Sequence, residues 1–365
     1  MQETCYGRTI LRGFSLRLIY LSCLFCALNG FVWSDSSDET ADESMEWMPN
    51  VSTRLDPAST KVNISADLLV WMAQEAGADC WAEVITSIGS ASTNALESTN
   101  FGWDPGFRVG IGYEMLHDQW DTQAFYTWFY TQGTASVTST PGSVHSTFLG
   151  NFYVNNTTGT GISGPAYQSG NIRWNIHFNI FDAELGRQFE VGHFLSMRPY
   201  TGLKGGWINQ SLYSNWINPN LSGSQFYAKA TENITNNFSG VGPLLGVNTR
   251  WSLYTNCGNS FSLFSNLCGA ILWGHWSLSD VFQNTIGQQI TVTPENFNGG
   301  ASMFRTFMGL EWDARFRDNR SLFTMKLGYE MQFWLDQLQF YSFIGGRLVD
   351  LLTLQGGTLA FSFDF

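Results

Sequence analysis

Apolar and polar residues alternate along most of the chain after Lys61 with a period of two. In "NIRWNIHFNI", Ile172, Trp174, Ile176, Phe178 and Ile180 fall on one face, with Arg173, Asn175, His177 and Asn179 on the other. In "LFTMKLGYEMQF", Phe323, Met325, Leu327, Tyr329, Met331 and Phe333 oppose Thr324, Lys326, Gly328, Glu330 and Gln332. In "FRTFMGLEWDAR", Phe304, Met308, Leu310 and Trp312 oppose Arg305, Gly309, Glu311 and Asp313. Strand side chains point alternately to opposite faces, so each segment predicts a β-strand with one oily face. Soluble sandwiches use strands of about five or six residues. Segments of about ten, apolar outward and polar inward, predict strands that cross a bilayer as part of a closed barrel.

The connections alternate in length. Short turns are predicted near Leu116–Gln119, Gly192–Phe194, Thr255–Asn259 and Arg317–Arg320. Long polar stretches occupy about residues 85–104, 133–170, 209–239, 274–301 and 336–352. Five long loops and four short turns join ten strands, or twelve if the loops hold further strands. The predicted fold is an all-β, transmembrane antiparallel β-barrel over 61–365, with short periplasmic turns and long external loops. An even count returns both termini to the periplasm. Trp120, Trp251 and Trp312 lie near short-turn ends and Trp71, Trp207, Trp273 and Trp334 near long-loop ends, as two interfacial girdles require.

Composition agrees. Aromatic residues make up 16% of the chain and charged residues only 13%, about half the usual charged share. Beyond residue 34 no apolar run reaches the roughly 18 residues of a spanning helix, so a membrane location demands a barrel. Residues 1–34 read as a signal peptide: Arg8, Arg12 and Arg17 precede the apolar run Leu18 to Leu28, with cleavage after Gly30 or Ser34. Residues 35–60 read as a disordered periplasmic tail opening with the acidic run "DSSDETADESME". A net charge of −12 excludes nucleic acid as a partner.

The expected partners are the lipid bilayer of the outer membrane and the machinery that assembles barrels into it. The ending "GGTLAFSFDF" sets Leu359, Phe361, Phe363 and Phe365 on one face. Such a terminal strand is similar to an assembly signal, assigned here to Phe361, Phe363 and Phe365. Of six cysteines, three fall in the signal, leaving Cys80, Cys257 and Cys268. An odd number in an oxidising compartment predicts a free or intermolecular thiol, and Cys257 is the candidate for an intermolecular disulfide.

The segments "ISADLLVWMAQEAG", "WDPGFRVGIGYEMLHDQWDTQAFYTWFYT", "AELGRQFEVGHFLSMRPYTGLKGGWI", "GVGPLLGVNTRWSL" and the C-terminal strand resemble the pore-forming major outer membrane proteins of Legionella and chlamydia-like bacteria. The resemblance covers most of residues 62–365. It implies an outer-membrane barrel with porin-like activity and a surface role toward host cells. Three mature cysteines depart from the cysteine-rich chlamydial pattern, against extensive disulfide cross-linking.

Candidate chemistry is sparse. Five histidines, no CxxC and no HExxH motif give no metal or catalytic signature, and no cofactor is called for. The expectation is therefore a non-enzymatic protein. By parity, Arg108, Arg173, His177, Arg198, Lys204, Arg250, Arg305, Glu311, Lys326 and Glu330 line the lumen. Such charges either set the ion preference of a pore or pair and fill a narrow barrel. Basic residues outnumber acidic ones in this set, so an open bore would prefer anions. The leading reading is a porin-like channel for passive diffusion of small solutes or ions. The alternative is a structural or host-contact surface barrel with a plugged lumen, with host-cell surfaces or further copies of the chain as partners.

Overall fold

The computed structural model describes residues 61–365 except 77–79, 89–90, 116–118, 141–142, 149–152, 156–158, 162–165, 219–227, 257, 294–295, 317–320 and 343–345. The expected signal peptide and acidic tail lie outside the described residues, as does Cys257.

Ten strands form the barrel: β1 (Lys61–Ala76), β2 (Asp104–Glu114), β3 (Trp120–Thr138), β4 (Ser169–Arg187), β5 (Leu195–Ile217), β6 (Lys229–Asn256), β7 (Asn259–Asn284), β8 (Phe297–Phe316), β9 (Ser321–Ser342) and β10 (Gly346–Asp364). Each pairs antiparallel with the next, and β10 returns to β1 through a register running from Asn63↔Asp364 to Ala76↔Leu351. The closed meander leaves no open sheet edge, as lipid requires. Val62 and Phe365 exchange backbone hydrogen bonds of 3.0 and 3.1 Å, fixing both ends of the barrel chain beside the short turns.

The strands are longer than a bilayer demands. At 28 residues β6 would extend roughly 90 Å, against an apolar band about 25 Å tall. The stretches 209–239, 274–301 and 336–352, predicted as loops, are mostly strand: β5 runs on to Ile217, β7 to Asn284 and β9 to Ser342. Asn, Ser and Thr on the outer face mask the alternation there.

The two faces exchange roles along each long strand. Near the short turns of β4, Leu185 and Phe181 are exposed outside while Asp182 and Glu184 are buried inside. Further up the same strand, Ile180, Phe178, Ile176, Trp174 and Ile172 are buried inside, and Asn175, His177 and Arg173 face outward. The register of β4 with β3 and β5 is unbroken through this switch, so no bulge flips the side chains. The surroundings change instead. Exposed apolar side chains outside and charge inside give way to polar side chains outside and a mostly apolar core inside.

That core seals the projecting half. Trp71 packs on Phe129, Phe178 on Trp334, Phe238 on Trp276 and Trp276 on Phe297. Each large apolar side chain so buried contributes about 1.5–3 kcal/mol. Trp71 and Trp334, expected in an interfacial girdle, point into this core, whereas Trp120, Trp207 and Trp273 face out. A three-stranded sheet of Cys80–Ile88, Ala91–Ser98 and Val144–Ser146 packs on it through Trp81, whose ring lies 5.3 Å from that of Trp216.

Candidate functional site: the charged interior

Inside the membrane section, inward positions on eight of the ten strands bring acids and bases together. Arg108 of β2 donates to Asp67 of β1 at 3.2 Å and to Glu330 of β9 at 2.7 Å, and its Nε donates to Thr127 of β3 at 3.0 Å. Glu330 accepts further bonds from Gln332 and Thr358. Lys204 of β5 pairs with Asp182 of β4. Arg198 of β5 pairs with Asp121 of β3 and, at 3.1 Å, with Glu184 of β4. Arg305, on β8, reaches Asp182 at 3.7 Å and Glu184 at 3.9 Å. Since β8 lies four strands from β4, this arginine spans the bore. Nearer the short turns, Arg250 of β6 holds Glu311 at 2.9 Å and also Asp313, and Lys326 of β9 holds Glu311 at 3.0 Å.

Several of these ions are almost without solvent: Glu330 is 1% exposed and Lys204 2%. Burying an ion costs several kcal/mol unless partners and hydrogen bonds replace its water. The cross-strand pairing supplies both to Glu330, and an ion partner to Lys204, while among the described residues the Nε of Arg305 is a buried donor without a hydrogen-bond partner. Below this girdle lies a cavity of about 480 Å³, lined by Glu114, Gln123, Asn248, Arg250, Lys326 and Asp364 among others. It reaches the short-turn end at Gln119, Gln188 and Glu190. Above the girdle the interior is largely apolar but also buries polar groups, among them Glu232, Asn236 and a thread through Gln210. There Gln210 Nε2 donates to Glu75 and to Gln337, each at 2.8 Å, and Trp174 Nε1 donates to Gln210 Oε1 at 2.9 Å.

Of the residues placed in the lumen by parity, Arg108, Arg198, Lys204, Arg250, Arg305, Glu311, Lys326 and Glu330 face the interior. Arg173 and His177 do not. They project outward from the upper part of β4, because the apolar face of that segment is its inner one. Asp67, Asp121, Asp182 and Glu184 are inward acids that the sequence reading missed. Among the described residues the interior ion pairs therefore join six bases to seven acids, and the expected positive excess disappears. Phe361 and Phe363 lie on the outer face of β10 with Phe365 just beyond it, Phe361 stacked on Phe323 and Phe363 beside Phe365. Cys268 is a buried free thiol and Cys80 is partly buried.

The family described as the Legionella pneumophila major outer membrane protein precursor matches residues 56–363. The chain belongs to this family. Its place is accordingly the outer membrane, and the ten-stranded closed barrel is the form in which this major outer membrane protein occupies it. No curated protein sequence matches it. Among solved structures, the outer membrane protease OmpT from Escherichia coli is similar at 10% identity and TM-score 0.43, covering 87% of this chain and 100% of that one. A Pseudomonas aeruginosa FadL homologue is similar at 11% identity and TM-score 0.30, covering 84% and 90%. The Pseudomonas putida toluene transporter TodX follows at 9% identity and TM-score 0.24, covering 85% and 90%.

Proposed function

We propose that this major outer membrane protein is a non-enzymatic surface barrel with a closed lumen, built to hold a rigid β-platform outside the cell. One observation carries the reading: Trp71, Trp174, Trp276 and Trp334, each at most 1% exposed, fill the interior above the charged girdle. Ten strands give a bore between the filled eight-stranded and the open sixteen-stranded barrels. Here aromatic rings and ion pairs occupy it. Polar outer faces and the short turns at the chain ends orient the projecting half away from the periplasm.

The second reading is a porin-like diffusion channel, favoured by the charge-lined cavity at the short-turn end. Conduction would require Arg305 to leave Asp182 and Glu184 and the aromatic core to part. Planar-bilayer recording separates the two. Refolded, heat-modifiable protein is expected to give no stable conductance steps, and steady steps from the unmodified chain would establish the channel instead. Opening only after Arg305→Ala, with the parent silent, would identify the girdle as a closure.

A further inference from the structure

Arg173 and His177, which face outward from the upper part of β4, stand at a particular height. Directly below them, outward rings form a continuous ladder. Phe107 stacks on Trp128 at 5.5 Å and meets Tyr126 at 6.2 Å, Tyr126 stacks on Phe181 at 4.6 Å, and Phe181 meets Trp207 at 5.8 Å. Aromatic rings of this kind mark the level where hydrocarbon gives way to headgroups. The next outward positions up β4 are Asn179, His177, Asn175 and Arg173. His177 and Arg173, four residues apart on one face, are about 13 Å apart along the strand.

Their neighbours are hydrogen-bonding groups. Tyr130 lies 4.5 Å from the His177 ring, and its hydroxyl donates to Asn175 Oδ1 at 3.1 Å. Asn175 Nδ2 donates to Ser211 at 3.3 Å, and Tyr126 donates to Asn179 at 2.8 Å. Tyr213, exposed, stands opposite Arg173 in the register. In a chain of net charge −12, residues 126–138, 171–181, 205–217 and 233–243 contain no acidic residue. Among the described residues, these stretches of the outer wall around Arg173 thus offer it no counter-ion, whereas the far wall exposes Asp336 on β9.

We propose that this outer face of β3–β5 binds the phosphorylated headgroup of an outer-leaflet glycolipid. Arg173 and His177 meet phosphate, and the Tyr and Asn groups meet sugar hydroxyls. A guanidinium fork matches phosphate oxygens, and such charge-assisted bonds are about twice as strong as neutral ones. The aromatic ladder below packs against acyl chains, so the site joins an apolar wall to a basic ledge at headgroup depth. The inference is independent of whether the lumen conducts.

The test uses the refolded full chain in detergent micelles, with fluorescent bis-phosphorylated lipid A and its enzymatically dephosphorylated form as probes. The double variant Arg173→Gln/His177→Gln is expected to weaken binding of the phosphorylated lipid by at least about tenfold. The exposed control Lys229→Gln should match the parent, and the dephosphorylated lipid should bind the parent as weakly as the phosphorylated one binds the double variant. Both altered side chains are solvent-exposed, and heat-modifiable migration verifies folding; Arg173→Glu alone provides a second variant with the same expected loss. Binding of the double variant within twofold of the parent, or indifference to the phosphates, overturns the proposal. Full displacement of the lipid by millimolar inorganic phosphate would likewise overturn it, since recognition would then be of a free anion.

Discussion

Lys204 and Arg173 are both single cations on adjacent strands, and their surroundings give them opposite weights. Lys204 is buried against Asp182 inside the membrane section, while Arg173 projects into solvent or headgroups. Removing one member of a buried pair leaves the other charge stranded, at a cost of about 3–5 kcal/mol. Lys204→Met is therefore expected to lower the stability of the folded barrel by about that amount, with Arg305 at 3.7 Å recovering part of it. Arg173→Ser should stay within about 0.5 kcal/mol of the parent. Urea unfolding in lipid vesicles, followed by tryptophan fluorescence, measures both. Equal small effects would mean that the girdle does not hold the barrel together. The inward charges were legible wherever an acid or base interrupted an outward apolar series, as at Arg305, Glu311 and Glu330. Asp182 was not legible, because it shares its face with Ile172 through Ile180, and that series read as lipid-facing.

At the level of the strand, alternation reports which residues share a face but not which medium each face meets. In β9 both assignments come out together, because its apolar series lies within the membrane section. The outer face of β4 turns polar at Asn179, so the rule "apolar means outward" held for Phe181 and Leu185 and inverted above them. The same limit turned Trp71 and Trp334 from girdle residues into core. The three-stranded sheet over the core was invisible in the sequence because its short strands carry almost no period. Within it, His145 stands opposite Glu83. Burial pulls the imidazole below its usual value, and Glu83 opposes that only in part. A histidine whose folded pKa is lowered binds fewer protons when folded, so its stabilising contribution is present above the ordinary value near 6.5 and is lost as pH falls through it. The Ile85 amide, bonded to the Ser143 carbonyl at 2.8 Å, should lose exchange protection between pH 7.5 and 5.5. In His145→Gln that loss should vanish once the intrinsic pH dependence is divided out. Equal protection ratios in the two proteins would remove the histidine from the account.

Over the whole molecule, the last residue closes a ring that began at the first strand. The Phe365 backbone bonds to Val62 in both directions, and its ring is exposed beside Phe363. Phe365→Ser keeps both backbone bonds and removes only the ring. It should leave the unfolding midpoint of refolded barrel nearly unchanged while lowering the amount of heat-modifiable protein reaching the outer membrane. Parental levels there would show that the ring carries no assembly information. The exchange of faces between the two halves imposes a further demand on this assembly. Before the ring shuts, a growing sheet shows grease on one side in its lower half and on the other side in its upper half. Neither water nor lipid can cover both at once. The strands that finish the seal come from opposite ends of the chain, with Asn63 bonded to Asp364 across 301 positions, so closure is a late and slow event. Until then the tryptophans of the projecting half travel uncovered across the periplasm and through the membrane. This barrel should accordingly depend more heavily on escort proteins during transit than one whose walls end at the headgroups.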